Sequence, residues 1–172
     1  MNPDLDFYID IIMNNILKIK KATIEDSEII YNFICQLAEY EKLTDDVTTT
    51  PDSLGETLFS PNSNVETLIG YVDEKPVAFA LYFYNFSTFK GKRGLYLEDI
   101  FVIPEMRGNG VGKELLKRLA QIAKENNCAR FEWSVLDWNE PAINFYKSLG
   151  AKPMDEWTVY RLTEKEIKNL SN

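Results

Sequence analysis

Three stretches of the chain carry residue types whose spacing could do chemistry. The first is Arg107-Gly108-Asn109-Gly110-Val111-Gly112-Lys113, with glycine at three alternate positions between two cations. Placed between a strand and a helix, such a run aims several backbone N–H groups and a helix N-terminus at one point, which makes an anion site. Glycine there lets the backbone approach a ligand that a Cβ would obstruct; a tight turn is the plainer reading. Two familiar phosphate loops do not fit. A Walker A loop would need glycine at Arg107 and Ser or Thr at Glu114, and a dinucleotide G-x-G-x-x-G would need glycine at Lys113.

The second stretch, Tyr96-Leu97-Glu98-Asp99-Ile100-Phe101-Val102, sets two consecutive carboxylates inside an apolar strand, where an unpaired charge is costly to bury. Either one acid reaches a strand edge or a cation, or the pair forms a partly desolvated site. Such a site would accept an ammonium group, and its proton affinity would rise into a useful range. The third is Tyr146, which shares a helical stripe with Ile143 and Leu149 and reads on that ground alone as a core tyrosine or a phenol in a site.

Composition narrows the chemistry. With no histidine among 172 residues, Ser-His-Asp and Cys-His catalysis are excluded and the commonest zinc ligand is missing. We expect no metal. Acid/base work falls to carboxylates, tyrosine, lysine, cysteine or water. Cys35 and Cys128 lack Cys-x-x-Cys spacing and read as reduced core thiols. A net charge of −8 argues against nucleic acid as a partner. The first fifteen residues are acidic ahead of a short apolar run, unlike a signal peptide, and no apolar run reaches membrane-spanning length. We therefore expect a cytoplasmic protein without a membrane partner.

The elements that must position these groups follow from periodicity. An N-terminal extension (1–15) precedes one domain (16–172). Ile16 to Ala22 alternates as a strand, Thr23 and Asp26 form a near capping box, and Ile29, Ile30, Phe33, Ile34, Leu37 and Ala38 mark an amphipathic helix. A short helix is expected around Ser53 to Phe59. Strands follow at Glu66–Val72, Val77–Tyr84 and Leu95–Val102, the middle one apolar on both faces and hence central. Val111, Leu115, Leu116, Leu119, Ile122 and Ala123 trace the most regular helix, from Gly110 to Asn126. Phe131–Leu136 is a strand; a helix capped by Asn139, with Pro141 in its first turn and Gly150 as its stop, comes next, and Trp157–Leu162 closes the sheet. The order β-α-(α)-β-β-β-α-β-α-β predicts an α/β (α+β) fold with a mixed sheet and helices on both faces.

Arg107-x-x-Gly110-x-Gly112 resembles the acyl-CoA loop of the GNAT acetyltransferases. Two further stretches, the Tyr96–Val102 strand and Trp138-Asn139-Glu140-Pro141-Ala142-Ile143-Asn144-Phe145-Tyr146-Lys147, are similar to those of the diamine (spermidine/spermine) acetyltransferases. Leu37-Ala38-Glu39-Tyr40-Glu41 is a weaker likeness, and Phe89-x-Gly91-Lys92 matches a loop that often carries tryptophan. The likeness runs from about Leu17 to Leu162.

The resemblance implies the GNAT fold, with a mostly antiparallel sheet of six to seven strands, and acetyl-CoA as co-substrate. It implies cofactor contacts from Ile100, Phe101, Val102, Arg107, Gly108, Asn109, Gly110, Val111, Gly112, Lys113, Asn139, Glu140, Pro141, Ala142 and Tyr146. Glu98 would be the base and Tyr146 the acid; Tyr40, Glu41, Glu98, Asp99 and Phe89 would border a small amine, most simply a diamine or polyamine. A thialysine-like amino acid, an antibiotic, a protein amine or a non-catalytic acyl-CoA module stay open. The family also implies a homodimer.

Overall fold

The computed structural model describes residues 17–172; the N-terminal extension and the start of the first expected strand lie outside them. The chain forms two compact units, one ending at Ser134 and one spanning Val135–Asn172.

The first unit is built on five strands in spatial order β1 to β5: β1 (Lys18–Lys21), β2 (Val65–Val72), β3 (Lys75–Ser87), β4 (Lys92–Val102) and β5 (Phe131–Trp133). The first three pairings are antiparallel and β4 with β5 is parallel. Asp73 and Glu74, both at positive φ, make the two-residue turn from β2 into β3. The apolar run of β3 does sit centrally, and Val77 through Tyr82 are all buried.

Two helices cover opposite faces. On one, Ile30 and Phe33 of α1 (Ser27–Glu41) join Ile69, Phe79, Leu81 and Phe101, with the Phe33 and Phe79 rings stacked at 5.3 Å. The Thr23–Asp26 box forms as read, but it caps a short 3-10 turn ahead of α1. The short α2 (Pro51–Leu58), capped by Thr50, packs against α1. On the other face α3 (Val111–Glu125) buries the six apolar residues that its periodicity marked.

The second unit holds α4 (Glu140–Ser148) and α5 (Glu164–Leu170). Here the expectations need correction. The described sheet has five strands, not six or seven, because Trp157–Leu162 forms no strand and leaves Trp157, Val159 and Tyr160 70%, 83% and 92% exposed. An alternating segment becomes a strand only against a neighbour. The strand expected over Phe131–Leu136 stops at Trp133, and α5 was not foreseen.

Candidate active site

The acidic strand owes its geometry to one extra residue. Leu81 pairs with Asp99 but Tyr82 pairs with Leu97, so Glu98 is the extra residue of a β-bulge. Without it, Asp99 would lie on the same face as Leu95 and Leu97. With it, Leu97 shares a face with Tyr82, while Asp99 and Phe101 share one with Leu81 and Phe79, the face α1 covers. The bulge thus turns Asp99 toward the end of α1, where Glu41 lies. Burial, then Glu98, then Glu41 push the Asp99 carboxyl up from 3.8 to about 6. Burial raises Glu41 as well. Glu98 itself is exposed.

The same strand offers an open edge. Among the described residues β5 pairs with β4 only along Leu95–Leu97, and β4 runs on to Val102 against β3 alone. Ile103 N–H donates to the Val77 carbonyl, so by alternation Phe101 directs its backbone groups toward β3, and Ile100 and Val102 direct theirs to the far edge. The Val111 side chain belongs to the core, which leaves only its main-chain atoms for a ligand; Phe101, expected to touch the cofactor, has its side chain in the core and its main chain turned to β3, which leaves it no group at this edge.

Beyond Val102 a 3-10 turn (Pro104–Met106) leads into the glycine loop. Gly108 and Gly110 adopt φ of +77° and +82°, a region that a side chain would strain, so these two glycines serve the loop's backbone path. Gly110 is the N-cap of α3 and supplies no side-chain cap, so the helix opens with Val111, Gly112 and Lys113. Asn109 Nδ2 donates to the Arg107 carbonyl at 3.4 Å. Arg107 itself does not reach over the loop. Its guanidinium lies 4.7 Å from the Tyr40 ring and 5.2 Å from the Phe101 ring, and Nε donates to the Val102 carbonyl at 2.9 Å.

The remaining expected site residues sit on α4 of the second unit. Asn139 is its N-cap, buried, with Oδ1 accepting from Ala142 N–H at 3.3 Å; Glu140 and Pro141 form the first turn. Tyr146 lies on the same helix with its ring 5.5 Å from Phe145, and Gly150 (φ +88°) stops the helix as expected.

Within the first unit the fold brings together Tyr40, Glu41, Glu98, Asp99, the edge of β4 and the glycine loop. Phe89 is not among them: it is 95% exposed at the β3–β4 turn, and Lys92 just beyond it is six residues, roughly 20 Å of strand, from Glu98. The sequence pointed to Glu98 as the base; in the fold it is Asp99, and with it Glu41, whose proton affinity is raised. The signal was present: strict alternation after Leu95 and Leu97 would have put Asp99 into the core, a conflict that a bulge resolves.

This arrangement of a bulged acidic strand, a strand edge beyond β5 and a glycine loop opening a long helix is that of an acyltransferase. The Acetyltransferase (GNAT) family model matches residues 30–151. The chain is 35% identical over 164 residues to the pig (Sus scrofa) thialysine N-epsilon-acetyltransferase, covering 89% of this chain and 96% of the relative. It is 33% identical over 164 residues to the human spermidine/spermine N(1)-acetyltransferase-like protein 1, covering 90% of this chain and 24% of that longer protein. An integron cassette protein from the mobile metagenome of V. cholerae superposes with a TM-score of 0.77 at 29% identity, over 90% of this chain and 97% of that one. The chain belongs to the GNAT family and is an acetyltransferase. Among the described residues no helix is long and apolar enough to cross a membrane.

Proposed function

We propose that this protein transfers the acetyl group of acetyl-CoA to the primary amine of a small cation, a diamine or polyamine first and a basic amino acid of the thialysine kind second. The observation that carries this reading is the Glu41, Glu98 and Asp99 cluster beside the outward edge of β4. Three carboxylates favour a substrate with more than one positive charge. The name of the pig relative supports the amino-acid alternative.

Acetyl-CoA would supply the acetyl group as a thioester. The loop fits its diphosphate: positive φ at Gly108 and Gly110 leads directly into the amides that open α3. Ile100 and Val102 would offer main-chain groups along the β4 edge, since Phe101 turns its own toward β3, and Lys113 and the Asn139–Ala142 turn would line the remainder.

An amine with pKa near 10.4 arrives protonated and must lose that proton before it attacks. Asp99 is the acceptor we favour, directly or through water, because a proton affinity near neutrality suits a general base. Exposed Glu98 would meet the ammonium group first and could order that water. As the new C–N bond forms and the C–S bond breaks, an outward N–H of Ile100 or Val102 would hold the developing oxyanion, such a donor being worth on the order of 3 kcal/mol. The Tyr146 phenol would give its proton to the departing thiolate.

We also propose a cytoplasmic homodimer. The exposed Trp157, Val159 and Tyr160 support the second copy, and the unbridged Cys35 and Cys128 support a reducing compartment.

The test is steady-state kinetics with acetyl-CoA against spermidine, spermine, putrescine, thialysine, ornithine and peptide amines. Asp99→Asn and Tyr146→Phe should each lower kcat by roughly 10²–10⁴, and Glu98→Gln by less. Full kcat in both Asp99→Asn and Tyr146→Phe across the pH range would remove the assigned roles.

A further inference from the structure

Arg107 opens the glycine loop, yet its side chain turns to the amine side of the site. The guanidinium lies over the Tyr40 ring at 4.7 Å and the Phe101 ring at 5.2 Å, and Nε holds the Val102 carbonyl at 2.9 Å. Its main-chain N–H donates to the Pro104 carbonyl at 3.2 Å, which anchors the residue at the end of the turn after β4. Tyr40 packs on the core cluster that contains Phe101. One side chain therefore fastens the last turn of α1 to the end of β4.

Those two elements carry the carboxylates. Glu41 follows Tyr40 directly, and Asp99 lies two residues before Phe101 on the same strand face. The groups that act on Asp99 are its burial, Glu98 and Glu41, and Arg107 is not among them. The cation does not neutralise the acidic cluster; it braces it. Arginine suits this task, since a planar guanidinium can stack and donate an in-plane hydrogen bond at once, which lysine cannot. An anion at the loop has the main-chain amides at the start of α3 and does not require this side chain.

We propose that Arg107 is a positioning residue for the amine site, setting the separation of Glu41 and Asp99 by clamping Tyr40 to the end of β4, and that it is not a phosphate ligand. The inference rests on the acetyl-transfer reading above. Losing the clamp loosens the carboxylate pair and weakens amine binding, while acetyl-CoA binding stays with the loop backbone.

The experiment is a double-mutant cycle of Arg107→Gln and Tyr40→Leu, reading amine KM, kcat and the CoA dissociation constant from calorimetry. Each single change should raise amine KM by about tenfold with kcat and CoA affinity within about twofold, and the double variant should be no worse than about tenfold, because both remove one clamp. Arg107→Lys should behave like Arg107→Gln, and it keeps the test readable if the glutamine variant does not fold. Two results would overturn the role of Arg107: amine effects that multiply to about a hundredfold, or a weakening of CoA by tenfold or more with amine KM unchanged. A wild-type protein that acetylates no amine in the panel would instead overturn the reading on which the clamp rests.

Discussion

α3 and α4 both follow loops expected to bind the same cofactor, yet they are held in different ways. Six side chains of α3 are buried, four of them at 4% exposure or less, and the sheet it covers includes a central strand buried on both faces. No residue of α4 or α5 is buried. What defines those two helices is local: Asn139 caps α4, Gly150 stops it, and Thr163 with Glu166 forms a capping box on α5. One region is specified by burial and the other by end signals. Elements of the second sort form without a partner; a strand does not, and Trp157–Leu162 forms none and stays exposed.

The largest test of this contrast is Leu119→Ala in α3. Leu119 is fully buried, so its truncation should cost about 2–5 kcal/mol in denaturant unfolding. Tyr160→Ser in the second unit should change stability by no more than about 0.5 kcal/mol. A larger Tyr160 effect that grows with protein concentration would show that a second copy covers the segment.

Asp99→Asn comes next and has the opposite sign. The Asp99 carboxyl is raised to about 6 in the fold against 3.8 in the unfolded chain. Below about pH 4 it is protonated in both states and has no effect. Between 4 and 6 the unfolded chain releases its proton first, so stability falls as pH rises, by on the order of 3 kcal/mol when complete. Asparagine removes that dependence: the variant should match wild type near pH 4 and unfold at a higher temperature at pH 7. The acidic limb of kcat/KM near pH 6 should vanish with it. Equal melting temperatures at both pH values would mean that the acid is not desolvated.

Much of this was readable from short-range pattern. The periodicity of α3, the central β3 and the glycine loop need only the residues within each segment, and all three took the expected form. The bulge at Glu98 is a relation between two strands, so no single segment spells it; only the parity conflict at Asp99 hinted at it. Arg107 was read as a cofactor residue from its place in a motif, but Tyr40, sixty-seven positions earlier, decides where its side chain goes. Trp157–Leu162 failed in the other direction, since its alternation is real and yet it forms no strand. The capping box Thr163-x-x-Glu166 was spelled in the chain and overlooked behind that expected strand.

A small, local effect separates the two regions most directly. Asn139→Ala removes the Oδ1 acceptor for Ala142 N–H and should cost about 1 kcal/mol, the usual worth of an N-cap. In a helix with no buried residue, that loss has few packing contacts to absorb it and should appear as local opening. Hydrogen exchange over residues 140–148 should speed up by about fivefold, while amides of β3 and α3 keep their protection and the melting temperature holds. If α3 amides exchange faster in step with α4, the second unit unfolds together with the first, and the end signals of α4 are then part of the same cooperative structure as the core.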